Sequence, residues 1–123
     1  MKVGTDIVEV CRFFDKIDNQ KFVSRLFSKR EIEHIFLLKN PKNISERMAG
    51  KFACKEAFLK ALGIGISKGI SLFEIEILPD KLGAPHIFLT GKTKEIFDKL
   101  EETNIEISIS HTKDFAQSIC IFF

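Results

Sequence analysis

Hydrophobic and polar residues alternate in several segments of the chain, as expected for β-strands. The first of these segments is VGTDIVEV, in which Asp6 shares a strand face with Val8 and Val10. Near the carboxyl end, two alternating segments are separated by a turn at residues 112–114 and predict a β-hairpin. The predicted strands are residues 3–10, 72–78, 86–89, 105–111 and 115–123.

A long helical pattern follows in the middle of the chain. NPKN (40–43) has the composition of a turn, and Ser45 can then cap the helix. The helix runs to Gly63, which readily adopts the left-handed conformation of a C-cap. GIGISKG (63–69) follows this helix, whereas Walker and Rossmann phosphate loops follow a strand. We therefore interpret it as a helix stop and turn, in which Lys68 can meet a phosphate.

Two further regions carry shorter helical patterns. Residues 19–38 contain two of them, separated near Ser28, which can cap the second. Residues 90–102 predict an exposed helix. The sequence therefore predicts a single α+β domain over residues 1–123, with an antiparallel sheet packed on a long central helix.

Two charged pairs occupy different sides of the long helix when its residues are projected at 100° per step. Glu56 and Lys60 fall in the middle of the apolar arc, beside a stripe of alanines spaced four residues apart. Lys51 and Lys55 project to roughly the opposite side, where a solvated charge is expected. A pair such as Glu56 and Lys60 is often an ordinary surface pair worth ~0.2–0.5 kcal/mol. Its predicted inward orientation favours a functional role instead.

Asp6, Glu56 and His111 all interrupt the apolar pattern of their elements. Each has an ordinary alternative: a strand-edge carboxylate, a surface ion pair or a hydrogen-bonded structural imidazole. Buried charges are costly unless they are paired or bind a metal. Two carboxylates without His or Cys at zinc spacing favour a hard cation such as magnesium, which binds few protein carboxylates and completes its shell with substrate phosphates. With Lys60 nearby, the set predicts a phosphoryl-transfer site.

Composition limits the functional classes. The chain has 123 residues, of which 45% are hydrophobic and 29% charged, as in soluble globular proteins. A net charge of +2 is too small to indicate nucleic-acid binding. The sequence has neither an apolar run long enough for a membrane helix nor an opening signal peptide. Three scattered cysteines indicate reduced thiols, and hence we expect a cytoplasmic protein.

Basic residues are concentrated in the first third of the chain. They are either solvated helix faces or a docking surface for an acidic partner. The residues are Arg12, Lys21, Arg25, Lys29 and Arg30.

Four blocks of sequence carry a resemblance to a known family. GTDIVEVCRF (4–13), AGKFACKEAFLKALGIG (49–65), GAP (83–85) and SISH (108–111) have the order and separations seen in holo-[acyl-carrier-protein] synthases. These are the small class of 4′-phosphopantetheinyl transferases. The resemblance extends from about residue 3 to the end of the chain. It implies the fold of that family and a transferase activity.

In this family, coenzyme A donates 4′-phosphopantetheine to a serine of apo acyl carrier protein, releasing adenosine 3′,5′-bisphosphate. The resemblance implies that Asp6 and Glu56 hold magnesium against the diphosphate, and the sequence does not distinguish magnesium from manganese in this role. It implies that Lys60 neutralises the leaving group and that His111 positions the coenzyme. The serine proton goes to a carboxylate or a metal-bound water, with Glu56 the first choice.

The resemblance also implies an assembly and a partner. The family is typically a homotrimer with active sites between subunits, and its first helix docks the acidic helix of a carrier protein of fatty-acid synthesis. Arg12, Lys21 and Arg25 are the matching docking residues. The implied coenzyme A-binding residues are Asp6, Lys51, Glu56, Lys60, Gly63, Pro85, His111 and Thr112.

Two positions depart from the family pattern. Lys51 stands where an arginine is usual, so a bidentate phosphate contact would become a point-charge contact. Ala84 replaces a residue that is often basic. Neither change affects the implied metal ligands.

Two other functions use the same residues. A magnesium-dependent phosphotransferase or nucleotide hydrolase would consume nucleotide without a carrier protein. A coenzyme A-binding or carrier-docking module would retain binding after Glu56→Gln, whereas the transferase would lose turnover.

Overall fold

In residues 1–64 and 69–123, which the computed structural model describes, the chain forms four α-helices and five β-strands. The helices are α1 (Gln20–Leu26), α2 (Lys29–Ile35), α3 (Pro41–Leu62) and α4 (Gly91–Asp98). The strands are β1 (Lys2–Glu9), β2 (Ile75–Pro79), β3 (Pro85–Leu89), β4 (Ile105–His111) and β5 (Phe115–Phe122).

The strands form two antiparallel sheets. β5 lies between β1 and β4 in the larger sheet, and β2 pairs with β3 in the smaller one. The register places Asp6 opposite Ser118, which is opposite Ile109 on β4. The face of the larger sheet that carries Asp6, Ser118 and Ile109 packs on α3, which contacts β1, β5 and β4. The predicted α+β class, with an antiparallel sheet on a long central helix, is confirmed.

β1 and α3 approach each other very closely at Gly4. A Cβ atom on Gly4 would lie 2.0 Å from the carbonyl oxygen of Ala57 and 2.5 Å from the amide nitrogen of Ala61. Only a residue without a Cβ permits two backbones to come this close. Gly4 therefore fixes the position of β1, and with it Asp6, against the second half of α3.

α3 begins before its predicted N-cap. Asn40 is the cap, and its side-chain oxygen accepts hydrogen bonds from two backbone N–H groups of the first turn. Pro41 occupies that turn, where a missing N–H costs nothing. Ser45 instead donates its hydroxyl to the Pro41 carbonyl oxygen at 3.0 Å. The predicted turn at 40–43 is wrong because Asn and Pro favour helix starts as well as turns. The predicted C-cap at Gly63 is confirmed, with φ of 79°.

The strand predicted over 72–78 begins only at Ile75. Leu72–Glu74 form a 3₁₀ turn, which is held by a hydrogen bond from the Ser71 backbone N–H to Glu74 Oε1 at 3.1 Å. Apolar and polar residues alternate through this turn as they do in the strand, so the sequence pattern does not show where the strand begins.

The helix predicted over 90–102 extends only from Gly91 to Asp98, and it buries Thr93 and Phe97. Lys68 lies outside the described residues. Among the helices of the described residues, none combines the length and apolarity required to cross a bilayer.

Candidate active site

Between Met48 and Leu62, α3 is buried on every side except along one line. Phe52, Glu56 and Lys60, spaced four residues apart, are the residues of this stretch that are not buried. The predicted inward orientation of Glu56 and Lys60 is therefore wrong. Strands cover the alanine side of α3, while α2 and β2 cover another side. The apolar arc is thus not the only buried face, and the charged pair lies on the accessible line.

Asp6 meets this open line from β1. Lys60 Nζ lies 3.0 Å from Asp6 Oδ1. In the part of the chain that the structure describes, Glu56 has no hydrogen-bond or ion-pair partner. Burial raises the pKa of Glu56, and the charge of Asp6 raises it further, while Lys60 and Arg12 oppose the shift. The structure therefore brings together the two carboxylates and the lysine that the sequence singled out.

The donor set of this site fits a hard divalent cation. Two carboxylates are what magnesium commonly takes from a protein when substrate phosphates complete its shell. Within residues 1–64 and 69–123, no group of three or more His, Cys, Asp or Glu side chains could enclose a metal. A cation between Asp6 and Glu56 would relieve the repulsion that raises the pKa of Glu56. Asp6 and Glu56 are thus suitable magnesium ligands.

Lys51 and Lys55 are buried, although the helical projection predicted both to be solvated. Lys55 Nζ lies 2.7 Å from Glu31 Oε1 and also donates to two main-chain carbonyl oxygens. Lys51 donates to the carbonyl oxygen of Ile77. The prediction failed because α2 and β2 pack on this side of α3 and supply the oxygen acceptors that water would otherwise provide. Burial lowers the pKa of Lys51 to about 8.

Glu31 is the important polar residue that sequence reasoning missed. Its Oε1 atom accepts a hydrogen bond from the Ser28 backbone N–H at 3.0 Å, and Oε2 accepts one from Ile77 N–H at 3.0 Å. Ser28 caps α2 as predicted, and the Ser-x-x-Glu spacing indicates the full capping box. That spacing does not indicate that the same carboxylate neutralises Lys55 from a different helix.

A second group of the predicted binding residues lines a cavity of about 590 Å³. Lys51, Pro85 and His111 belong to its wall, whereas Asp6, Glu56 and Lys60 do not. β5 separates β1 from β4, so the two outer strands lie about 10 Å apart across the sheet. One copy of the chain therefore does not bring His111 into the Asp6 group.

Gly63 and Thr112 have local structural roles. Gly63 ends α3 in the left-handed conformation. Thr112 Oγ1 accepts hydrogen bonds from the backbone N–H groups of Asp114 and Phe115, at 3.2 and 3.1 Å, and so holds the turn between β4 and β5. Their contact with coenzyme A stays a prediction.

The predicted docking residues are all exposed. They are Arg12, Lys21 and Arg25. The Arg12 guanidinium lies over the Phe52 ring, 5.4 Å from its centroid. Arg12, Phe52 and the exposed Phe14 line one groove of about 470 Å³. Because Phe52 precedes Glu56 by one helical turn, this groove adjoins the carboxylate site.

The chain is similar to known proteins in both sequence and structure. A sequence model of the 4′-phosphopantetheinyl transferase superfamily matches residues 2–120. A holo-[acyl-carrier-protein] synthase of Thermoanaerobacter sp. (strain X514) is 48% identical over 121 residues, covering 97% of this chain and 84% of that protein.

Two solved structures are similar over nearly the whole chain. A holo-(acyl-carrier-protein) synthase from Bacillus anthracis str. Ames, in complex with CoA (3′,5′-ADP), has a TM-score of 0.81 and 33% identity, covering 98% of this chain and 94% of that one. The Helicobacter pylori holo-[acyl-carrier-protein] synthase in complex with coenzyme A has a TM-score of 0.82 and 34% identity, covering 98% and 99%.

Proposed function

The chain belongs to the 4′-phosphopantetheinyl transferase superfamily, and we propose that it transfers 4′-phosphopantetheine from coenzyme A to a serine of an apo acyl carrier protein. The second product is adenosine 3′,5′-bisphosphate, and the loaded carrier serves fatty-acid synthesis. The whole chain, residues 1–123, acts as one transferase domain. The observation that carries the proposal is the open line on α3, where Asp6, Glu56 and Lys60 converge.

The reaction is one displacement at phosphorus. The serine oxygen attacks the phosphorus on the pantetheine side of the diphosphate, and the bond from this phosphorus to the bridging oxygen breaks. That oxygen leaves with the bisphosphate. The serine proton passes to Glu56, whose carboxylate lies on the open line of α3 and has no hydrogen-bond or ion-pair partner in the described residues.

Asp6 and Glu56 would hold magnesium, which would neutralise charge on the diphosphate as the bridging bond breaks. The Lys60 side chain is 56% exposed, and its Nζ atom lies 3.0 Å from Asp6 Oδ1. A phosphate bound through magnesium to Asp6 would therefore lie close enough for Lys60 to donate to one of its oxygens after little movement. The Lys60 ammonium group at this position stabilises the negative charge of the departing bisphosphate. His111 positions the adenosine end of the coenzyme.

We also propose that the chain acts as a homotrimer, in which the carboxylates of one copy face the cavity of a neighbouring copy. The separation of His111 and Asp6 across the sheet supports this assembly. So does the outer face of the larger sheet, where Val3 and Ile7 are 61% and 63% exposed and Phe115 and Ile119 also reach solvent. Several exposed apolar side chains on one face of a sheet commonly mark an interface.

The groove around Arg12 is the proposed docking site of the carrier protein. Its cations can pair with an acidic helix, while Phe14 and Phe52 supply apolar contact. Docking there would bring the carrier serine to the adjoining Glu56.

The protein acts in the cytoplasm, and the free thiols of Cys11, Cys54 and Cys120 support this location.

The test is the intact mass of a purified apo acyl carrier protein after incubation with this protein, coenzyme A and magnesium. We expect the carrier to gain one phosphopantetheine group, and a parallel sample with chelator to gain none. The nucleotide product should be adenosine 3′,5′-bisphosphate in equal amount.

Absence of the mass gain, with both proteins shown to be folded, would overturn the proposal. A mass gain that persists in chelator would overturn only the role of magnesium, and the transfer reaction itself would stand. Asp6→Asn should abolish the gain, whereas Asp98→Asn, on the exposed face of α4, should not change it.

A further inference from the structure

Lys60 forms its ion pair across two elements of the fold and not along its own helix. Glu56 precedes Lys60 by four residues on α3, which is the spacing of an ordinary helical ion pair. Lys60 Nζ instead lies 3.0 Å from Asp6 Oδ1 on β1. Among the described residues, Glu56 forms no ion pair. The site therefore neutralises one of its two carboxylates by contact and leaves the other unpaired.

The two partners of this ion pair differ in their freedom to move. The Asp6 side chain is 17% exposed, and that of Lys60 is 56% exposed. Asp6 lies within β1, where it pairs with Ser118 of β5, and the close approach at Gly4 fixes this strand against α3. Lys60 carries its ammonium group on a flexible stem of four carbons. A ligand that separates the pair therefore displaces Lys60 and leaves Asp6 in place.

In this position Lys60 opposes the binding of a metal ion in two ways. It occupies one of the two carboxylates that a divalent cation would take, and its positive charge repels the cation as it approaches. The carboxylate that stays unpaired, Glu56, is only one of the few protein ligands that magnesium uses. Lys60 thus lowers the affinity of the site for metal when no coenzyme is bound.

The diphosphate of the coenzyme reverses this balance. Its oxygens are alternative acceptors for the Lys60 ammonium group, and they are also ligands for the cation. When Lys60 donates to the diphosphate, Asp6 loses its partner and has both oxygens available for a metal. The coenzyme therefore supplies negative charge and releases a carboxylate in one exchange of ion pairs.

Arg12 is a second cation that acts on this site, and it provides a comparison for Lys60. Burial and the charge of Asp6 raise the pKa of Glu56, while Lys60 and then Arg12 oppose the shift. The Arg12 guanidinium lies over the Phe52 ring and forms no ion pair among the described residues. Arg12 therefore contributes positive charge without occupying a carboxylate.

We propose that the ion pair between Lys60 and Asp6 couples the binding of metal to the binding of coenzyme. Lys60 occupies Asp6 until the diphosphate accepts its ammonium group, and Asp6 is then free to take the cation. This inference rests on the proposed function, because that function names the coenzyme. Lys60 then acts before the chemical step as well as on the leaving group, since it keeps metal from filling the site before the coenzyme arrives.

Titration of the full chain with Mn²⁺ tests the inference without any transfer step. Mn²⁺ prefers the same oxygen ligands as magnesium, and the electron paramagnetic resonance signal of the free ion measures how much is bound. The ratio of the dissociation constants without and with saturating coenzyme A is the coupling factor, after correction for Mn²⁺ bound by coenzyme A alone. In the parent we expect a factor of about 5 to 150, the usual range for coupled sites.

Lys60→Met removes the charge and keeps a long side chain. Without coenzyme A, this variant should bind Mn²⁺ about 3- to 30-fold more tightly than the parent, because Asp6 is free and the repulsion is gone. With coenzyme A the gain should be smaller, since Lys60 of the parent has then already left Asp6. The coupling factor should therefore fall at least about threefold. Lys60→Arg keeps a cation that can pair with Asp6, so its binding of Mn²⁺ alone should stay weak.

Two further variants control for charge. Arg12→Met removes the cation that does not touch a carboxylate, so it should change the coupling factor less than about twofold. Lys94→Met breaks the exposed 2.7 Å pair with Asp98 on α4 and should leave Mn²⁺ binding unchanged. Melting curves establish that each variant is folded.

The inference is overturned if Lys60→Met binds Mn²⁺ alone no more tightly than the parent, or if its coupling factor equals that of the parent. It also fails if Arg12→Met has the same effect as Lys60→Met, because net charge and not contact with Asp6 would then govern the metal. If no phosphopantetheine were transferred while Lys60 still set the coupling factor, the proposed function would fail and the exchange of ion pairs would stand.

Discussion

The central helix carries two lysine–carboxylate pairs of similar length in opposite surroundings. Lys55 Nζ lies 2.7 Å from Glu31 Oε1, with both side chains 0% exposed. Lys60 Nζ lies 3.0 Å from Asp6 Oδ1 on the open line of the same helix. The buried pair is completed by main-chain carbonyl and N–H groups. The open group leaves Glu56 with no partner in the described part of the chain.

This difference separates a structural charge from the charge that we propose to be functional. A buried ion pair whose hydrogen bonds are all made has no capacity left for a ligand, and it holds α2, α3 and β2 together. A carboxylate that is half-buried and unpaired costs stability, and such a cost is commonly retained where a ligand or metal relieves it. Burial alone would have selected Lys55 and Glu31 instead of the proposed site.

The largest expected effect comes from breaking the buried pair. Glu31→Ala leaves Lys55 charged and unpaired in the core, which should cost about 3–5 kcal/mol of unfolding free energy. Urea unfolding at pH 7 measures this loss. Asp98→Ala is the matched control, because Lys94 and Asp98 are also 2.7 Å apart but are 57% and 54% exposed. It should cost less than about 1 kcal/mol, and equal losses in the two variants would contradict the comparison.

A smaller effect is expected where β1 contacts the helix. Gly4→Ala places a Cβ 2.0 Å from the Ala57 carbonyl oxygen, a backbone atom that cannot move aside. We expect a loss of about 1–3 kcal/mol and a fall in transfer activity, because Asp6 moves with the strand.

Gly50→Ala provides the control for this prediction. Its Cβ would lie 3.2 Å from Ile109 Cγ2, a side-chain atom that can shift. The higher helix propensity of Ala, worth up to about 1 kcal/mol, offsets that contact. Equal destabilisation by the two substitutions would show that the close approach at Gly4 does not position β1.

The smallest effect concerns a half-buried group without a hydrogen-bond partner. His34 Nδ1 is buried and has no partner within the described residues, and the pKa of His34 is lowered from 6.5 to about 4. Between these values the unfolded chain binds more protons than the folded one, so stability falls as pH drops through this window. His34→Leu should reduce this acid destabilisation, measured as the urea midpoint between pH 7 and pH 4. If the urea midpoint of His34→Leu depended on pH as strongly as that of the parent protein, the lowered pKa of His34 would be contradicted.

Strand alternation and the glycine C-cap predicted much of the fold because both depend on neighbouring residues. The terminal strand, the hairpin and the end of the long helix at Gly63 were predicted correctly. The predicted helix start at Ser45 was wrong, since the N-cap is Asn40, because turns and N-caps use the same residue types.

The site residues could be selected from the sequence, but their surroundings could not. Asp6, Glu56 and His111 were predicted as one group with Lys60 nearby, and one copy of the chain brings together Asp6, Glu56 and Lys60 but not His111. The inward orientation of Lys51 and Lys55 was missed because it depends on what covers α3 from distant parts of the chain. Helical projection assumes one buried face, and a central helix has several.

The most direct test of the contrast is Glu56→Gln, measured for both unfolding free energy and rate of carrier modification. Glu56 has a raised pKa, so its ionised form is disfavoured by folding, and removing the charge should leave stability at pH 7 unchanged or slightly higher. We expect the rate to fall by about 10²–10⁴-fold. A variant that lost stability as Glu31→Ala does, or that kept the parent rate, would contradict the assignment of Glu56 to function.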